Sequence, residues 1–175
     1  MDLRSYVRSV PDFPVDGILF RDITPMLHDP AALRESIRQL AALVEGEKID
    51  RVVGMESRGF IYGVPLAIEL GCGFVPLRKP GKLPREVLSR EYALEYGTAS
   101  LEVHVEDIQA GERVLIVDDL LATGGTARTA ADMVQKLGGE VVALLFVIEL
   151  LGLEGRGQLD GHRVESLLAM PVDGD

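Results

Sequence analysis

Asparagine and tryptophan are absent from this 175-residue chain, and cysteine occurs once, at Cys72. Without Asn there is no N-glycosylation sequon. A single cysteine leaves no internal disulfide and fits a reducing compartment. Long apolar runs are also missing. The longest, Val141 to Ile148, is eight residues, against about 20 for a membrane-spanning helix. The opening MDLRSYVRSVPDF has no apolar h-region, so no secretory signal is expected. Basic residues are the minority, 18 against 28 acidic, for a net charge of -10. That sign opposes nucleic acid polymers and anionic membranes as partners. These absences together predict a cytoplasmic globular protein.

What is present organises well. At 19.0 kDa, with 47% hydrophobic and 26% charged residues, one domain is expected, burying roughly 70% of the unfolded chain's surface. Asp29-Pro30 reads as N-cap and first residue of a helix. Leu33, Ile37, Leu40, Ala41 and Val44 then fall at helical spacing, with Gly46 as the stop. Strands are expected at Arg51–Met55, Phe74–Leu77, Ser100–Val105, Arg113–Val117 and Glu140–Ile148, and helices at Gly59–Leu70 and Thr126–Leu137. Lys79 to Arg90, rich in Pro, Gly and charge, reads as a long loop. Alternating strands and helices imply an α/β fold with a mainly parallel central sheet flanked by helices. Ligands of such sheets bind beyond the carboxyl ends of the strands. The strand ends to inspect are therefore Glu56-Ser57-Arg58-Gly59, Arg78-Lys79 and Asp118-Asp119.

The segment Val114 to Ala127, VLIVDDLLATGGTA, carries the most chemistry. A buried strand ends in two carboxylates, and Thr123-Gly124-Gly125-Thr126 opens a helix. Successive N–H groups, a helix N-terminus and threonine hydroxyls at Ala122 to Thr126 form an anion cradle for a phosphate monoester, with no basic residue required. Asp118 and Asp119 are suited to accept hydrogen bonds from a diol such as ribose O2 and O3. Neither a P-loop nor a G-x-G-x-x-G after a strand is present. The string GMESRG misses the hydrolase elbow by one residue, and no spacing pairs His28, His104 or His162 with Ser57. Neither the histidines nor the acids show metal-ligand spacing. Charge is unevenly spread: Arg78, Lys79, Lys82, Arg85 and Arg90 gather with one acid, Glu86. Taken alone, that basic stretch also suits a solvated loop.

The Asp-Asp-TGGT unit resembles the phosphoribosyl pyrophosphate (PRPP) binding motif of the type I phosphoribosyltransferases, and the form DDLLATGGT is similar to the adenine-using members. The likeness runs along the chain in order: Phe13-Pro14, GILFRDITP at 17–25, ESRGF at 56–60, VPLRKPGKLP at 75–84, LEYG at 94–97, then the motif. The resemblance implies one domain over residues 1–175 in the type I phosphoribosyltransferase fold, with a small N-terminal hood in residues 1–30. It implies a pentosyltransferase of purine salvage, converting adenine and PRPP to AMP and pyrophosphate with Mg²⁺ held mainly by PRPP and water. A homodimer is implied too.

Residue by residue, the resemblance gives the phosphate to Ala122, Thr123, Gly124, Gly125 and Thr126, and the ribose to Asp118 and Asp119. Pyrophosphate falls to Glu56, Ser57, Arg58, Arg78, Lys79 and Lys82, with a non-proline cis peptide at Glu56-Ser57 aiming backbone N–H groups. Phe20 would stack on adenine while backbone around Phe20 and Arg21 reads its edge. Glu95 and Arg58 would be catalytic, Glu95 exchanging a proton with the imidazole ring of the purine. The stretch after Lys82 would close over the site and exclude water. Two rivals stand beside this: transfer to another purine base, and a PRPP-sensing regulator, which would need a DNA-binding module or basic face.

Overall fold

The computed structural model describes residues 1–93 and 97–174. A 3-10 turn at Leu3–Tyr6 leads into strands β1 (Arg8–Val10) and β2 (Phe20–Asp22), which pair antiparallel as a small hood. Helices α1 (Thr24–His28) and α2 (Pro30–Ala42) follow, then β3 (Arg51–Met55), α3 (Arg58–Leu70) and β4 (Gly73–Leu77). A second antiparallel pair, β5 (Val87–Ala93) and β6 (Thr98–His104), lies outside the main sheet. The chain continues through β7 (Arg113–Leu121), α4 (Gly125–Lys136), β8 (Glu140–Leu151), α5 (Gly155–Gln158) and β9 (Val164–Pro171).

Five strands form a parallel sheet in the order β4-β3-β7-β8-β9. From β3 the chain first winds outward to β4, then returns to place β7 on the other side of β3. The winding direction therefore reverses between β3 and β7, and a crevice opens at their carboxyl ends. The continuous apolar run of β7 follows from burial on both faces. Val114 and Ile116 face a layer with Val53, Leu144 and Phe146, covered by Ala130, Met133 and Val134 of α4. Leu115 and Val117 face the opposite layer with Val52, Leu145 and Val147, covered by Ile37, Leu40, Tyr62 and Leu66 of α2 and α3. Among the described residues, no helix is long and apolar enough to cross a membrane.

The expected α/β class and parallel sheet are found. The Asp29 Oδ1 cap accepts from the N–H groups of Ala31 and Ala32, both at 2.9 Å. The expected strand Arg113–Val117 runs on to Leu121, so both aspartates lie within β7 rather than at its very end. The expected loop of residues 79–90 is shorter than its composition implied. Val87 begins β5, whose largely exposed residues pair in register from Val87 with His104 to Ala93 with Thr98. Strand β9 and the two hood strands were not foreseen. The hood strands are three residues each, too short to show a period.

Candidate active site

The loops after β3 and β7 flank the crevice. The Glu56-Ser57 peptide is cis, as the resemblance implied, and α3 begins directly at Arg58. Gly59 lets that helix start close to β7: a β-carbon there would lie 3.0 Å from the Val117 carbonyl oxygen and 3.1 Å from Asp118 Oδ1. Arg58 Nε donates to Asp119 Oδ2 at 2.5 Å. Its guanidinium carbon lies 5.7 Å from the centroid of the Phe20 ring, within cation–π range.

Glu56 is the hub of the basic groups. Its Oε1 accepts from Lys82 Nζ at 2.8 Å, and Oε2 accepts from the Lys79 N–H at 2.9 Å and Arg78 Nε at 3.3 Å. Those donors, Lys82 first, hold its carboxyl down at about 2. Arg78 is tied at its backbone to Glu102 of β6, donating at 2.9 Å and accepting at 2.7 Å. The Arg78 and Lys82 side chains and the Lys79 backbone are thus brought together around an anion supplied by the protein itself.

The two aspartates differ in their surroundings. Asp119 is buried and carries the ion pair with Arg58. Desolvation, followed by the neighbouring Asp119 charge, drives the Asp118 carboxyl well above the usual carboxylate range. Asp118 Oδ1 also accepts from the Asp119 N–H at 2.9 Å. Beyond them, Gly124 takes φ +87 as the N-cap of α4, a conformation open to glycine at no steric cost. The first N–H groups of α4 have no acceptor within the helix and face a small cavity of about 100 Å³ lined by Ala122 to Thr126.

Three cavities meet in this crevice. One of about 610 Å³ lies under the hood, lined by Phe13, Phe20, Arg21, Leu27, Ile61 and Arg58 among others. A second, about 220 Å³, is lined by Glu56, Ser57, Arg58, Lys79, Asp118 and Asp119. The third is the cradle. Arg58 walls the first and second, and Asp118 walls the second and third. The order is therefore apolar slot, charged middle, N–H cradle.

Arg21 lines the slot, but its guanidinium donates to Ser9 Oγ, the Pro171 carbonyl at 2.8 Å and the Gly174 carbonyl, tying the hood to the end of the chain. Glu95, the expected proton carrier, lies outside the described residues. Sequence reasoning missed the slot's apolar walls. Ile61 and Leu27 sit at ordinary helical spacing, and Phe13, which stacks edge-on to Phe20 at 5.1 Å, carries no sequence signal beyond its place in a short Phe-Pro motif.

The phosphoribosyl transferase domain family matches residues 24–166. An adenine phosphoribosyltransferase of Methylococcus capsulatus is 62% identical over 166 residues, covering 95% of this chain and 97% of that protein. One from Gloeobacter violaceus is 59% identical, covering 91% and 93%. The crystal structure of adenine phosphoribosyltransferase from Thermoanaerobacter pseudethanolicus matches with a TM-score of 0.94 at 53% identity, over 97% of this chain and 98% of that one. The Saccharomyces cerevisiae enzyme, complexed with D-2,5-dideoxy-2,5-imino-altritol 1,6-bisphosphate and adenine, gives 0.91 at 42% identity, covering 95% and 97%. The chain belongs to the phosphoribosyl transferase family, among its adenine phosphoribosyltransferases.

Proposed function

We propose that this chain transfers the 5-phosphoribosyl group of PRPP to adenine, forming AMP and releasing pyrophosphate. The observation that carries the reading is the order of the three cavities, which matches base, activated sugar and 5′-phosphate laid end to end. In the reaction, the bond from the anomeric carbon to pyrophosphate breaks and a bond to the imidazole nitrogen of adenine forms. The proton on that nitrogen passes to a base, for which Glu95 is the candidate on the strength of its LEYG context. Holding both reactants in line supplies ~7–11 kcal/mol of barrier reduction.

Each wall has a role in this scheme. The cradle N–H groups and the Thr123 and Thr126 hydroxyls hold the 5′-phosphate, and Asp118 and Asp119 take the ribose hydroxyls. Arg58, Arg78, Lys79 and Lys82 stabilise charge growing on pyrophosphate, with Ser57 on the same wall. Pyrophosphate takes over from Glu56 as the partner of Arg78 and Lys82. Phe20 stacks on adenine, and hydrogen bonds from backbone near Phe20 and Arg21 choose among bases.

The donor set suits magnesium. Asp118 and Asp119 offer hard carboxylate oxygens beside the middle cavity. Among the described residues, no group of three or more His, Cys, Asp or Glu is gathered to hold an ion. The ion is read as arriving on PRPP, with those aspartates at its edge, and when bound it neutralises diphosphate charge. A homodimer is part of the reading. Its support is the outer face of α3, where Ile61, Val64 and Ile68 stand 42%, 43% and 75% exposed.

The test is AMP formation by the purified protein with PRPP, Mg²⁺ and each purine in turn. AMP from adenine is expected, and none would sink the reading. Efficient turnover of hypoxanthine or guanine would retain the reaction class and remove adenine selectivity.

A further inference from the structure

We infer that Arg156 is a positioning residue for the 5′-phosphate cradle, acting through the backbone of the turn at Gly155. This rests on reading Ala122 to Thr126 as the phosphate site. Arg156 lies in α5, beyond the three cavities, and each of its guanidinium nitrogens donates a hydrogen bond. Nε and Nη2 donate to the two carboxylate oxygens of Glu149, each at 2.7 Å, and Nη1 donates to the Val164 carbonyl at 2.6 Å. Ser166 Oγ adds a fourth bond, to Glu149 Oε2 at 2.9 Å. Three segments, β8, α5 and β9, are thereby clamped at one point.

Glu149 is only 8% exposed and stands opposite Leu121 of β7, the residue just before the cradle. A half-exposed ion pair is weak evidence for a stabilising role. The clamp instead determines where α5 lies, and α5 is the backing of the cradle. A β-carbon on Gly124 would lie 2.4 Å from the Gly155 carbonyl oxygen, and one on Gly155 would lie 2.2 Å from the Ala122 carbonyl oxygen. The two backbones touch, with no space for a side chain on either. Arg128 of α4 donates to the Gln158 carbonyl at 3.3 Å, fastening the first turn of α4 to the same support. Just before the turn, Glu154 is held at φ +54, a left-handed conformation that persists in such a residue only where the surroundings over-determine it.

Phosphate N–H donors must be aimed to a fraction of an ångström. Releasing α5 removes the surface against which Ala122 to Gly124 are set. The loss should fall on ligands carrying the 5′-phosphate and spare the base.

The experiment compares Arg156→Met, Arg156→Lys and Gly155→Ala with the cradle variant Thr126→Ala, each checked by thermal melting. Arg156→Met is expected to raise KM for PRPP and Kd for AMP at least fivefold. KM for adenine should stay within twofold, and kcat at saturating PRPP within threefold. Arg156→Lys, which keeps the charge but not the planar fork, should fall between Arg156→Met and wild type. Gly155→Ala pushes on Ala122 with the clamp intact and should give the same split, so it carries the test if Arg156→Met fails to fold. The inference is overturned if the Arg156 variants keep PRPP and AMP affinities within twofold while Thr126→Ala weakens both, or if KM for adenine rises as much as that for PRPP. If Thr126→Ala also leaves both affinities unchanged, the phosphate-site reading fails and the inference falls with it.

Discussion

Arg58 and Asp119 join the two halves of the site: Nε of one reaches Oδ2 of the other at 2.5 Å, while the same guanidinium lies beside Phe20. A single planar cation thus borders the apolar slot and the charged middle together. Arg58→Lys keeps the charge but loses the fork and the flat face. It should lower kcat/KM by about 100-fold, read as the rate of AMP formation, with wild-type thermal stability. A loss below threefold would remove Arg58 from the chemistry.

Asp118 gives a proton-linkage prediction. Its folded-state affinity for a proton is raised, so ionising it costs stability as pH climbs from the unfolded carboxylate range toward the folded value. A ribose diol and a magnesium ion both favour the ionised form. PRPP binding should therefore release protons. Calorimetry in buffers of different ionisation enthalpy would show it, and Asp118→Asn should abolish the buffer dependence.

Glu56 has the opposite sign. Its carboxyl, lowered to about 2, favours the folded state above its ordinary range, and that contribution is lost as pH falls toward 2. Wild-type melting temperature should therefore drop more steeply between pH 4.5 and 2 than that of Glu56→Gln. Parallel acid limbs for the two proteins would refute the assigned role of the Lys82, Lys79 and Arg78 donors.

The reach of the sequence is explained by these same residues. DDLLATGGT was legible because a buried strand, two acids and a glycine turn are adjacent in the chain. The parallel sheet was legible because strands buried on both faces become continuous apolar runs. The Glu149–Arg156–Ser166 clamp has no such local mark, since nothing in a spacing of seven or 17 residues announces a contact. Arg21 was expected to serve through its backbone, and nothing local foretold that its side chain bonds carbonyls 150 and 153 residues away, a distance no periodicity spans. Strand β5 was hidden by its charge: an exposed two-stranded pair needs no apolar alternation.

Gly124→Ala tests the cradle directly. The left-handed conformation and the 2.4 Å approach to the Gly155 oxygen together should destabilise the fold by about 1–3 kcal/mol. KM for PRPP should rise more than tenfold, measured with adenine saturating. A fully active variant would mean that the turn tolerates a side chain and that its backbone is not the phosphate donor.

The hood pair β1–β2 lies apart from the five-stranded sheet that carries both aspartates and the TGGT turn. In the proposed reading, most of the slot for the acceptor base is therefore written in a different stretch of chain from the grip on the activated sugar, with Arg58 shared by both. Exchanging residues 8–22 then offers a route to new base preferences, with the Arg21 bonds to the Pro171 and Gly174 carbonyls and the Phe20 contact with Arg58 among the joints such a graft must keep.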